Sequence, residues 1–180
     1  YNTRAAAPAY QQPSHLPKGV INVQNNVYIV ALGANVGDLT KTDDDVRYFT
    51  KSMRQLFQLR DENIREVIDA RIADFEDAMG WLNSKVKPGD LALIYFSGHG
   101  SQVADNNGDE ADGWDEGFVM YDAAEARKAR IKHMVLDDDF ATWIKRLNTE
   151  QIVMVVDSCY SAGSSRSTRV KGCLLYTSDA

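Results

Sequence analysis

Two rhythms of apolar residues alternate along the chain. Short runs rich in β-branched and aromatic residues occur at 26–32 (NVYIVAL), 64–68, 91–96 (LALIYF) and 151–156 (QIVMVV). Their length and composition predict strands, the last a core strand covered on both faces. Between them the spacing turns helical. Val46, Phe49, Met53, Leu56 and Phe57 mark one helix face, with Thr42 placed to cap it. Ile72, Phe75, Met79 and Leu82 mark a second, and Phe140, Trp143, Ile144 and Leu147 a third, opened by Asp137-Asp138-Asp139. Lys87-Pro88-Gly89-Asp90 is a turn, and two short extended pieces are expected near 118–121 and 131–135. Strands alternating with helices predict an α/β fold, a mostly parallel central sheet with right-handed crossovers. No internal repeat is present.

Two of these strands end in chemistry. Residues 91–96 run into Ser97-Gly98-His99-Gly100, and 151–156 run into Asp157-Ser158-Cys159 and on to Gly163. Open α/β sheets build ligand sites at the carboxyl ends of their strands. If the two strands are neighbours, Cys159 and His99 meet as nucleophile and base, because a thiol attacks as thiolate and histidine is its usual activator. In isolation each has a blander reading: a buried cysteine is a small hydrophobe, and a buried histidine a satisfied side chain.

Composition narrows the classes. The 180 residues are 44% hydrophobic and 26% charged, with a formal net charge of −6, as for one α/β domain with a real core. An acidic balance without a long basic run argues against a nucleic-acid partner, and no apolar run approaches a membrane span. Two cysteines make no disulfide framework, which allows a cytoplasmic setting. Residues 1–19, rich in Ala, Pro and Gln, read as a linker or arm, and His15 within them as an unremarkable side chain. The first residue is Tyr1, so an upstream start is expected. The tail 173–180 (CLLYTSDA) reads as translated read-through of a transposase sequencing adapter, which places the natural end of this region near Gly172 and makes Cys173 non-biological.

YFSGHGSQ (residues 95–102) and VVDSCYSAG (residues 155–163) resemble the histidine and cysteine motifs of metacaspases and their bacterial caspase-like relatives. GDEADGWDE (108–116) and LDDDF (136–140) fall in the same order, and the likeness spans about residues 26–165. Asp-Ser-Cys at the nucleophile, rather than the Gln-Ala-Cys of true caspases, favours the metacaspase side.

The resemblance implies a caspase-like three-layer α/β/α catalytic domain over 20–172. It also implies a cysteine endopeptidase with Cys159 as nucleophile and His99 as base and acid. The amides of Gly100 and Cys159 would form an oxyanion hole. Asp157 would be the acid of a primary pocket selecting Arg or Lys in a peptide or protein substrate, with Ser97 and Asp45 beside it. Thr42 stands where the family has a cysteine. Asp115, Asp137 and Asp138 would be the calcium acids, and no organic cofactor is implied. The 105–116 stretch lacks the ligand order of an EF-hand, and His133 matches no role. The family continues past the nucleophile with a small subunit, so this domain is expected to be C-terminally truncated, with an uncovered sheet edge beside the Cys159 strand and little activity in isolation. Two other readings remain open: an inactive caspase-like interaction module, and a plain α/β binding domain. The latter lacks a Gly-rich phosphate loop with lysine.

Overall fold

A computed structural model describes residues 26–105, 108, 113–125, 133–160 and 172–177. Seven strands form one sheet: β1 (Val27–Gly33), β2 (Ile64–Ile68), β3 (Leu91–Ala104), β4 (Trp114–Val119), β5 (Met134–Leu136), β6 (Gln151–Tyr160) and β7 (Gly172–Thr177). The helices are α1 (Thr42–Phe57), α2 (Ile72–Lys85), the single-turn α3 (Asp122–Glu125) and α4 (Asp137–Arg146). β2, β1, β3 and β6 are mutually parallel in that spatial order, as the alternation of elements predicts. β4, β5 and β7 are antiparallel additions, so the sheet is mixed.

Period-two alternation divides the strand residues between two cores. Ile29, Ala31, Leu91, Leu93, Tyr95 and Val153 pack with Val46, Phe49 and Met53 of α1 on one face. Val30, Leu32, Ile94, Phe96, Ile152 and Met154 pack with Phe75, Met79 and Leu82 of α2 and Phe140 of α4 on the other. The result is three layers, with α1 alone on its side of the sheet among the described elements. Leu56, expected on the buried stripe of α1, is exposed instead, one position past the face that Met53 and Phe57 share.

Several boundaries differ from the sequence-based expectation. The predicted loop Ser97–Gly100 is strand: β3 runs unbroken to Ala104. β6 likewise continues through Asp157, Ser158 and Cys159. Each extension is the other's hydrogen-bonding neighbour, so glycine and serine, poor strand formers alone, are held extended by pairing. Gly98 has a further reason to lack a side chain: a Cβ there would meet the Phe96 ring at 2.5 Å. The acidic stretch enters a hairpin, β3 pairing with β4 and Asp105 N–H donating to the Gly113 carbonyl at 3.0 Å. The edge beside β6 is covered over its first six residues only, and Asp157–Tyr160 have no strand on that side among the described residues. Residues 172–177, most of them in the tail read as adapter-derived, pair with Gln151–Val156 and stop there.

Thr42 is not the cap of α1 but a helical residue, 2% exposed, and Lys41 at the cap position offers no side-chain bond. Asn35 supplies what is missing: its Oδ1 accepts from the Thr42 N–H at 3.1 Å and the Thr42 hydroxyl at 3.0 Å. Asp69, at φ 52°, holds Asn35 in turn by accepting from its side-chain amide at 3.0 Å. Gly33 lets the helix come this close, since a Cβ there would lie 2.9 Å from the Thr42 carbonyl oxygen.

The amino-terminal ends of the three central strands are tied by one polar cluster. Buried Asp90 accepts from the backbone N–H of Asn26 at 3.0 Å and of Lys87 at 2.9 Å. Its own carbonyl takes the Thr149 hydroxyl, which itself accepts from the Gln151 N–H at 3.1 Å. The Gln151 side-chain amide donates to the Gly89 carbonyl at 3.2 Å. Thr149→Val keeps the shape but strands a buried carbonyl and an amide. It is expected to destabilise the chain by about 1–3 kcal/mol, read as a lowered urea midpoint by circular dichroism. An unchanged midpoint would show that the tie carries no stability.

Candidate active site

The register of β3 against β6 assembles the site. Tyr95 lies opposite Val155, Ser97 opposite Asp157, His99 opposite Cys159 and Gly100 opposite Tyr160. Neighbouring strands lie about 4.8 Å apart, so the backbone sets the predicted nucleophile and base side by side. Tyr95, Ser97 and His99 share one face by their spacing of two, and it is the α1 face, where Tyr95 belongs to the core.

From α1, Asp45 reaches this face. Its Oδ2 accepts from the hydroxyl of Ser97, which is 2% exposed, at 2.9 Å. Asp157 is partly buried on β6. Tyr95 reports on both acids. Its phenol is pushed up to about 12, first by burial, then by the charges of Asp157 and Asp45, against which a hydrogen bond with Ser97 acts. The ring stacks on Phe49 of α1, centroids 4.2 Å apart. Two carboxylates thus stand within electrostatic reach of one phenol that stays neutral well beyond ordinary pH. Asp43 and Asp44, by contrast, form only exposed pairs with Arg47 and Lys41 on the helix surface. Thr42 is buried and bonded to Asn35, in the first turn of the helix that carries Asp45.

The ring of His99 has a partner that the sequence analysis did not single out. Its Nε2 lies 3.2 Å from Asp38 Oδ1, in the loop after β1. Tyr95 was also missed, although its place two residues before Ser97 and four before His99 was the available signal. For Asp38 the signal was weaker: an acid in a Gly-bearing loop at the carboxyl end of the first strand.

The three acids read as calcium ligands occupy one end of the β4–β5 pair. Asp115 lies two residues before Gly117, whose partner Leu136 immediately precedes Asp137 and Asp138. Asp115 is buried. Asp137 is pushed up, first by burial and further by the charges of Asp138 and Glu116, against backbone hydrogen bonds. Among the described residues, no three His, Cys, Asp or Glu side chains are gathered closely enough to hold a metal. His133 precedes β5 and takes part through its carbonyl, which accepts the Met120 N–H at 2.9 Å. His15 lies outside the described residues. No described helix is long and apolar enough to cross a membrane.

Comparison with known proteins bears on this arrangement. The chain is 30% identical over 139 residues to metacaspase-1 of Pyricularia oryzae, covering 69% of this chain and 33% of that one. It is 37% identical over 86 residues to metacaspase-2 of Arabidopsis thaliana, covering 47% of this chain and 19% of the relative. The chain therefore spans a third or less of the length of these relatives. In three dimensions it resembles the crystal structure of a Geobacter sulfurreducens protein, with TM-score 0.59 and 22% identity over 77% of this chain and 52% of the other, a likeness of fold. The family model for the metacaspase, peptidase C14 domain matches residues 28–165, a span that takes in the β3 histidine, the β6 cysteine and the strands that pair them. By that match the chain belongs to the metacaspase family of C14 peptidases.

Proposed function

We propose that this domain is the catalytic part of a cysteine endopeptidase that cleaves peptides and proteins after Arg or Lys and is stimulated by calcium. The observation that carries the reading is the pairing of His99 with Cys159 across β3 and β6. In this reading His99 takes the thiol proton, and the thiolate attacks the scissile carbonyl. The imidazolium then returns its proton to the leaving amine. Water hydrolyses the resulting thioester and frees the enzyme. The amides of Gly100 and Cys159 are assigned to the oxyanion, a contribution of about 3 kcal/mol per donor.

Specificity follows from charge. A pocket bounded by Asp157 and Asp45 would repel an acidic side chain and pair with a guanidinium or ammonium, the guanidinium bidentately. Ser97 holds Asp45 by its hydroxyl, and Asn35 fixes the start of the helix that carries it.

Among the described residues, Asp115, Asp137 and Asp138 do not form a cluster that could hold a metal as they stand; in this reading calcium stimulation would require them to converge and supply carboxylate oxygens to a hard cation. The ion would relieve the crowding of negative charge around Asp137. A carboxyl raised in the folded state makes that state bind more protons than the unfolded chain, so stability falls as pH rises through the window above the unfolded value. A bound calcium would compete with that proton.

Three outcomes are expected. Cys159→Ala abolishes peptide hydrolysis by the longer parent protein, and His99→Ala lowers kcat roughly a thousandfold or more; full turnover in Cys159→Ala ends the peptidase reading. On a fluorogenic peptide panel, Arg and Lys are preferred to Asp, and Asp157→Ala lowers kcat/KM on Arg peptides by about a hundredfold, or about 3 kcal/mol. A preference for Asp would refute the pocket. Calcium raises the melting temperature at pH 7 and does so less at pH 5, and Asp137→Asn with Asp138→Asn removes the gain. A calcium-independent melting temperature would remove the ion from the mechanism.

A further inference from the structure

The connection from β1 to α1 is tied at every step. Ala34 N–H donates to the Ser97 carbonyl at 3.0 Å, which anchors the loop to the strand carrying His99. Asn35 is held by Asp69 and holds Thr42. Val36 is 2% exposed, a buried plug, and its carbonyl accepts from the Leu39 N–H at 3.3 Å to close a turn. Gly37, at φ 67°, supplies the left-handed residue that turn requires. The residue presented at the tip is Asp38, with Oδ1 3.2 Å from Nε2 of His99.

A buried plug, a glycine and four hydrogen bonds are more than an exposed loop needs. They deliver one carboxylate to one ring nitrogen. We propose that Asp38 is a positioning residue for His99. It accepts the Nε2–H, which selects the tautomer and ring orientation that leave Nδ1 to receive the Cys159 proton. The inference rests on the Cys159–His99 reading and adds a third member to it. The proton balance is unchanged: it moves from sulfur to Nδ1, giving thiolate and imidazolium, and the carboxylate faces the new charge without taking the proton.

Asp38 is 92% exposed, whereas the His99 side chain is only 23% exposed. Water therefore screens the pair, and the effect is expected to be moderate rather than decisive. A loss of about tenfold is the scale for a solvated orienting group, well short of losing the base itself.

The test reads Cys159 alone, in the 180-residue chain, by its rate of alkylation with iodoacetamide followed by peptide mass spectrometry. At pH 6 an unassisted thiol is almost wholly protonated, so rapid alkylation there reports assistance by His99; at pH 9 any accessible thiol is substantially ionised. Asp38→Ala is expected to slow alkylation about tenfold at pH 6 and leave the pH 9 rate unchanged, with Asp38→Glu restoring most of the loss. A loss of structure would move both rates. If His99→Ala slows the pH 6 reaction and Asp38→Ala does not, Asp38 has no positioning role and the dyad stands. If His99→Ala has no effect either, the dyad reading fails with it. A slowing in Asp38→Ala that is equal at both pH values overturns the proposal as well.

Discussion

The active-site geometry depends on a register set at the opposite end of the strands. β3 and β6 are parallel over ten paired positions, from Leu91 with Gln151 to Gly100 with Tyr160. Parallel pairing transmits a register without loss, so whatever aligns the amino-terminal ends aligns the carboxyl ends too. Here that alignment comes from Asp90, Thr149, Gln151 and the Gly89 carbonyl, a polar cluster buried where the strands begin. A slip of one residue would transfer every β6 side chain to the other face of the sheet. Val153 and Val155 would leave the α1 side, and Asp157 would leave with them. Hydrophobic patterning and catalytic pairing are therefore specified by one constraint. The apolar lower strand penalises the same slip that would separate cysteine from histidine.

The second constraint is the seating of α1. A helix whose first turn carries Asp43, Asp44 and Asp45 suits its own dipole, but only Asp45 turns toward the sheet. What fixes that choice is behind the helix rather than in it. Gly33 admits Thr42 to close range, Asn35 holds the Thr42 amide and hydroxyl, and the Phe49–Tyr95 stack sets the rotation one turn further on. Tyr95 joins the two constraints, because its ring is packed by α1 and its phenol is held neutral first by burial and then by the charges of acids from β6 and α1.

The sequence was most legible where burial repeats. The continuous apolar runs of β1, β3 and β6, and the helical stripes of α1, α2 and α4, come from cores on both faces of a sheet, and they foretold its alternating strands and helices. The motif residues Ser97, His99, Asp157 and Cys159 were legible as well, but as strand ends. That error has a physical origin. Gly98 and Gly100 have low intrinsic strand preference, and only the tertiary partner makes them extended, which no local window contains. The same holds for Asp38 and Asn35. Their roles lie in contacts made across the chain, with His99 and with Asp69 and Thr42, and a polar loop looks alike whether or not it has such contacts.

These arrangements differ in how much each interaction can bear. The Asp90–Thr149 cluster is buried, so losing one member leaves unpaired groups that water cannot reach, and the cost is borne by folding. The Asp38–His99 contact lies at the surface on the Asp38 side, where water can replace either partner, and it contributes little to folding. It matters only because the ring it orients has one productive direction. The acids Asp45 and Asp157 lie between these limits: both are partly buried, so water screens their charges less than it screens Asp38. The sheet thus grades its polar groups along the strands, from a dry register at one end, through the half-buried acids Asp45 and Asp157, to a solvated rim at Asp38 and the histidine.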